Sequence, residues 1–156
     1  MEALTQVIHS AYARLGAMGL NYTAVDQSPA VTRQRAGRGA CFVAVQGHRL
    51  IGTITVQPPE PDSQCEHFRQ SHVASARQFA VEPGFQGRGL GGSLLEVAES
   101  WASSHGYAEI AIDTAEAANH LIELYARRGY CHVGWVQWPG KRYRSVVMSR
   151  PLPSSV

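Results

Sequence analysis

Between Val81 and Ser93 the chain reads Val-Glu-Pro-Gly-Phe-Gln-Gly-Arg-Gly-Leu-Gly-Gly-Ser, and this stretch restricts the fold more than any other. Upstream, residues 72–81 read as a strand that Pro83-Gly84 stops. Downstream, residues 89–105 place Leu90, Leu94, Leu95, Val97, Ala98 and Trp101 along one helical face, and Gly106 ends the run. A strand that turns through a glycine-rich loop into a helix leaves several backbone N–H groups at the helix mouth. The macrodipole adds partial positive charge there, so the arrangement suits a pyrophosphate. Gly87, Gly89, Gly91 and Gly92 matter because a Cβ would hold the phosphate away from the amides or clash in the turn. A mere tight connection would not need four glycines in six residues against a strong helix.

Several phosphate ligands fit such a loop. Gly87, Gly89 and Gly92 satisfy the dinucleotide pattern GxGxxG, and Asp113 stands near a strand end where a ribose-binding acid is expected, ~20 residues on. The context is poorer. Residues 82–86 separate the strand from the first glycine, and too little chain follows Asp113 for the remaining strands of a dinucleotide fold. A Walker loop is excluded, because no Gly-Lys-Ser/Thr occurs.

The rest of the chain supplies a mixed order of elements. Residues 3–18 put Leu4, Val7, Ile8, Ala11 and Leu15 at helical spacing. The polar segment 21–39 contains Ser28-Pro29, an N-cap followed by Pro at the first helical position, so a short second helix is expected. Residues 40–45 and 50–56 read as two strands around a tight turn, followed by a polar loop over 58–71. After the long helix come a short strand (107–112), a helix (117–128) and two strands (130–138 and 143–149) around Pro139-Gly140. This is a mixed α/β sheet, without regular alternation. Cys41 and Cys131 fall in expected strands and read as small buried residues.

Composition narrows the class further. A chain of 156 residues suits one domain spanning 1–156. With 44% hydrophobic and 17% charged residues, intrinsic disorder is not expected. A net charge of +2 argues against a nucleic-acid partner, which needs a clustered basic face. No apolar run approaches the ~20 residues of a membrane span, and Met1 does not lead into a signal peptide, so no membrane partner is expected. Three widely spaced cysteines without a CxxC pair make a reducing cytoplasm the default location. Cys65, His67 and His72 fit no standard four-ligand metal spacing, so no metal is expected.

Two motifs together resemble a known family. Val81-x-Pro83-x-x-Gln86-x-x-Gly89-x-Gly91 is similar to the acetyl-CoA signature of the GNAT superfamily of N-acetyltransferases. Downstream, Asn119, then Leu124-Tyr125, then Gly129-Tyr130 resembles that family's second motif. The resemblance implies a mixed, mostly antiparallel central sheet flanked by helices, with acetyl-CoA as co-substrate and a small-molecule or peptide amine as acceptor. It implies that backbone groups of Phe79, Ala80 and Val81 pair with the pantetheine arm. Gln86 belongs to the signature, and amides of Gly87, Arg88, Gly89, Leu90, Gly91 and Gly92, with Ser93, would hold the pyrophosphate. Asn119 would contact the pantetheine portion and Tyr125 would sit beside the sulfur. A bulge would splay the strand before the loop from the strand after the helix.

Acyl transfer to an amine needs a neutral nucleophile, an oxyanion donor and a proton for the departing thiolate. A strand N–H near Phe79 or Ala80 suits the oxyanion. Tyr125 suits the proton, since a phenol with an ordinary pKa of about 10 keeps it at neutral pH. Many relatives carry a Glu on the strand before the loop; residues 72–81 contain none. Glu66, His72 or another loop residue, reached through water, is then a candidate base; the alternative is that proximity supplies most of the acceleration. No cysteine or serine stands in a nucleophile setting, which favours direct attack over a covalent relay.

In relatives the first two helices and the last hairpin frame the acceptor, which nominates Leu20, Asn21, Tyr22, Trp138 and Tyr143. Lys141-Arg142-x-Arg144 reads as a solvated turn or as a selector for acidic acceptors. Relatives also carry a strand before the first helix that this chain does not show, so a second subunit covering the sheet edge, in a homodimer, is an expectation. The alternative to an enzyme is a regulatory module that binds CoA or acetyl-CoA without turnover.

Overall fold

The computed structural model describes residues 1–154. Helix α1 (Glu2–Ala17) buries Leu4, Val7, Ile8 and Leu15, the stripe its spacing dictates. A single turn, α2 (Thr23–Asp26), precedes α3 (Pro29–Ala36). Ser28 caps α3 by accepting a hydrogen bond at Oγ from the Val31 N–H at 3.2 Å, with Pro29 at the first position. Strands β1 (Ala40–Gln46) and β2 (Arg49–Gln57) then form an antiparallel hairpin through Gly47.

A one-turn helix α4 (Glu66–Arg69) interrupts the long polar connection to β3 (Val73–Val81). A 3-10 turn (Pro83–Phe85) leads through the glycine loop into α5 (Leu90–Ser104). Strand β4 (Glu109–Ala115), helix α6 (Asn119–Arg127) and strands β5 (Cys131–Val136) and β6 (Ser145–Pro151) complete the order.

The six strands hydrogen-bond in the order β1-β2-β3-β4-β6-β5. The sheet is mostly antiparallel, as expected. The β3–β4 pair is parallel, over Val73↔Glu109, Ala74↔Ile110 and Ser75↔Ala111. The residues group into two compact units, Met1–Gln57 with Ala76–Ala98, and Pro58–Ser75 with Glu99–Val156. In the first, Leu4, Val7, Ile8, Ala24 and Ala80 form a buried cluster, with Ala11, Tyr12 and Leu50 packed against it. In the second, Cys65, Phe68, Val73, Ala111, Val136 and Val147 do the same, with Trp138 at the margin.

Some elements depart from their expected limits. Strand β4 runs three residues past the expected end at residue 112, because Asp113, Thr114 and Ala115 continue the ladder opposite Val147, Val146 and Ser145. Pairing along a neighbouring strand overrides the low strand propensity of Asp. The turns α2 and α4 are too short to show a helical period, which is why they read as loop. Cys41 and Cys131 are exposed, contrary to expectation. They lie on β1 and β5, the two edge strands, whose outer faces meet solvent.

Candidate active site

The first unit carries the glycine loop and the strand that feeds it. Gly87 and Gly89 adopt φ of +77° and +83°, conformations an L-residue enters only at a cost. A Cβ built at either position meets open space, so what glycine supplies there is the left-handed backbone and not room against a neighbour. Gln86 donates its main-chain N–H to Pro83 O at 3.3 Å. Gln86 and Gly87 form a turn that closes at Arg88. Beyond it, the next amide with a backbone acceptor is that of Ser93, bonded to Gly89 O at 3.0 Å. The donors of Gly87 and of residues 89–92 stand together at the start of α5 without carbonyl partners among the described residues, the pattern of an anion cradle.

Side chains stiffen this cradle. Gln86 donates from Nε2 to Val81 O at 3.0 Å, so it straps the loop to the end of β3. Ser93 Oγ donates to Gly89 O at 3.2 Å, which places the hydroxyl along its own helix. The guanidinium of Arg88 lies 5.5 Å from the centre of the Phe85 ring, and that of Arg49 lies 5.6 Å from it. Arg49 also reaches Glu82 at 3.7 Å. Two cations thus flank the loop, and Arg49 gave no sign of this in the sequence because it arrives from β2.

Strand β3 presents its main chain in a fixed sense. The Glu82 N–H bonds to Ile51 O at 2.8 Å, so the polar groups of even-numbered residues here face β2. Phe79 and Val81 face the opposite edge, and Ala80 faces β2. The Phe79 carbonyl accepts from Tyr12 Oη at 2.8 Å and the Val81 carbonyl from Gln86. Tyr12 was not distinguishable in the sequence from a helix aromatic. The Phe79 ring in turn lies where a Cβ on Gly91 would come within 3.3 Å of it, so the absence of a side chain at Gly91 lets the ring pack close to α5.

Just before these residues the strand is distorted. Gln78 has φ +51° and is the one non-glycine residue with positive φ among the described residues. Such a conformation costs an L-residue about 1–2 kcal/mol. Its Oε1 accepts from Gln27 Nε2 at 2.7 Å, while its own Nε2 is buried without a partner. A left-handed residue inside a strand kinks it in the manner of a β-bulge, and this one lies between Val73–Ser75, which pair with β4, and Phe79–Val81.

The second unit holds the other expected residues. Asn119 opens α6 and is exposed; Tyr125, two turns on, is 2% exposed, with its ring 6.0 Å from that of Tyr130. The helix turns Tyr125 inward because Leu121, Leu124 and Tyr125 share its less exposed face. Tyr130 donates to Glu99 Oε2 at 2.8 Å, and Arg128 and Arg150 contact Glu99 Oε1 at 2.6 and 2.8 Å. Burial pushes the Tyr130 phenol strongly upward, and the Glu99 charge and hydrogen bond add to this against the two guanidinia. Tyr130 therefore stays protonated and acts as a structural donor.

Other candidates in this unit are engaged. His72 Nε2 lies 2.8 Å from Glu109 Oε2, and His67 Nε2 lies 3.3 Å from Oε1, which also accepts from Ser149 Oγ at 2.8 Å. Burial raises the Glu109 carboxyl, but the Ser149 and His72 hydrogen bonds and the two imidazoles outweigh it, leaving it below its ordinary value. Glu66 is exposed on α4. Asp113, the acid of the dinucleotide reading, accepts from Trp138 Nε1 at 2.8 Å, and Trp138 stacks with Phe68 at 6.2 Å. Arg144 pairs with Glu116 at 3.2 Å and lies 3.7 Å over Trp135. Among the described residues no group of three His, Cys, Asp or Glu side chains is placed to hold a metal ion.

Residues 7–130 match the model of the Acetyltransferase (GNAT) family, so the chain belongs to that family and is an acyltransferase that moves acetyl to an amine. It is 28% identical over 153 residues to the S-(2-succino)cysteine N-acetyltransferase of Bacillus subtilis (strain 168), covering 97% of this chain and 90% of that protein. A crystal structure from Pyrococcus horikoshii OT3 superposes with a TM-score of 0.76 at 21% identity, over 97% of this chain and 90% of that one. A GNAT family acetyltransferase from Elizabethkingia anophelis with acetyl-CoA bound has a TM-score of 0.64 at 18% identity, over 81% and 85%.

Proposed function

We propose that this enzyme uses acetyl-CoA and transfers its acetyl group directly to a primary amine within a ternary complex. The observation that carries the reading is the group of amides at Gly87 and residues 89–92 without backbone acceptors, at the mouth of a fifteen-residue helix. These amides would hold the pyrophosphate, with Gln86 acting as the strap of the loop and the Ser93 hydroxyl joining by rotating off Gly89 O. Phe79 and Val81 would pair with the pantetheine arm, Ala80 lying between them; Asn119 would contact the same arm. The neighbour from Elizabethkingia anophelis binds acetyl-CoA, which supports the choice of donor.

In this reading a neutral amine attacks the thioester carbonyl, and the strand N–H at Phe79 stabilises the developing oxyanion. The carbon–sulfur bond breaks, and the Tyr125 phenol protonates the departing thiolate. The nucleophile's proton passes to solvent. His72 stands at the far end of β3 from the glycine loop and is tied to Glu109, which favours proximity over a dedicated base. The Bacillus subtilis relative acts on a modified cysteine, so amino acids belong first in a search for the acceptor.

Release of free thiol from acetyl-CoA across a panel of amino acids, polyamines and peptides tests the reading. Amine-dependent release is expected, following a pattern of intersecting initial-rate lines; parallel lines would point to a covalent relay and contradict direct transfer. The pH–rate profile should be unaltered in Glu66→Gln and His72→Ala, whereas loss of an ionisation in either would identify a base. We further propose that β1, the free edge beside β2, is covered by a second copy of the chain in the reducing cytoplasm. Light scattering at micromolar concentration should give a dimer, and a monomer removes the idea.

A further inference from the structure

The bulge in β3 is held by a chain of hydrogen bonds with a fixed direction. Arg35 NH1 donates to Gln27 Oε1 at 2.8 Å, and because a guanidinium can only donate, this contact decides which end of the Gln27 amide is oxygen. Gln27 Nε2 then donates to Thr32 Oγ1 and to Gln78 Oε1, each at 2.7 Å. Thr32 Oγ1 also accepts from Thr5 at 2.8 Å and donates to Ser28 O at 3.2 Å, so its hydroxyl is fully used. The Gln27 carbonyl lies 2.7 Å from His9 Nε2. Gln27 is 4% exposed and pinned from α1, α3 and β3.

Gln78, also 4% exposed, is the terminus of this chain and the residue whose backbone is strained. Its Nε2 finds no acceptor, so its side chain is not there to complete its own hydrogen bonding. What the contact fixes is the left-handed turn. A bulge residue resets the period-two alternation of a strand. If Gln78 relaxed to extended φ, Phe79 and Val81 would exchange edges with Ala80, and Phe79 would leave its place against Gly91.

We propose that Gln27 is a positioning residue: through Gln78 it holds the β3 bulge, and so aims the main chain of Phe79 and Val81 at the cofactor arm. This rests on the acetyl-CoA reading above. The polar link explains why a short, polar segment between α2 and α3 carries a fully buried carboxamide.

The test compares four variants, Gln27→Leu, Gln78→Ala, Gln78→Gly and the double variant Gln27→Leu with Gln78→Gly, by calorimetric titration with CoA and by amide exchange at residues 79–81. Ala keeps the conformational penalty and loses the lock; Gly loses both. Gln27→Leu and Gln78→Ala should each weaken CoA binding by about tenfold and speed exchange at residues 79–81. Gln78→Gly should stay within about threefold of the parent, and adding Gln27→Leu to it should change nothing further. A Gly variant weaker than the Ala variant, or a double variant as weak as Gln27→Leu alone, overturns the proposal, since side-chain volume would then matter and not the backbone turn. If the parent protein binds no CoA, the acetyl-CoA reading fails, and the exchange rates of the same four proteins still decide whether Gln27 holds the bulge.

Discussion

Gly89 and Tyr125 stand for the two halves of the proposed chemistry, and each has a substitution that removes one property. Gly89→Ala adds a methyl group into open space but forces an L-residue into φ +83°. It should cost about 1 kcal/mol of stability, read by urea unfolding, and weaken CoA binding by distorting the amides. Tyr125→Phe keeps the ring and deletes the proton. The expected result is a fall in kcat of about 100-fold with an unchanged dissociation constant for CoA, measured by thiol release and calorimetry. A loss of CoA affinity with kcat unaltered would make Tyr125 a wall of the site and not its acid. Tyr130, six Å away ring to ring, belongs to stability: Tyr130→Phe leaves the buried Glu99 oxygen short of a donor and should cost about 1–2 kcal/mol.

At the scale of elements, hairpins and strand ends carry the constraints that the chain alone shows poorly. A Cβ on Gly39 would fall on the Val56 carbonyl, at the entrance of β1, so Gly39→Ala must push the two strands apart. A loss of about 2–4 kcal/mol in denaturant unfolding is expected, although the residue touches no proposed ligand. At the N-terminal ends of β3 and β4, Glu109 holds a proton less readily than an ordinary carboxyl. A depressed folded pKa contributes stability above the unfolded value of about 4.3 that is lost as pH falls through the folded value. Unfolding midpoints should therefore fall with acid in that window for the parent protein and less steeply for Glu109→Gln. Equal slopes would mean that the His67, His72 and Ser149 contacts do not act on folding.

The same scale shows what was legible beforehand. The stripe of α1, the Ser28-Pro29 start of α3 and the loop before α5 act within a few residues of sequence, and the structure places all three close to their expected limits. The end of β4, the solvent-facing Cys41 and Cys131, and the Tyr12 contact to Phe79 depend on strands or helices distant in sequence. No local pattern encodes them. Gln78 is the clearest case, because its left-handed backbone contradicts local preference and is explained by partners some fifty residues earlier.

For the whole molecule, one sheet of six strands with a parallel β3–β4 pair and a glycine loop running into α5 go with membership of the GNAT acetyltransferase family. The account of its cofactor depends on anion capture by main-chain amides, and calorimetric titration with CoA beside pantetheine isolates that capture, because pantetheine lacks the pyrophosphate. Saturable heat with CoA, and binding weaker by at least about tenfold with pantetheine, is the predicted result. Equal affinity for the two, or no heat with either on folded protein, would contradict it.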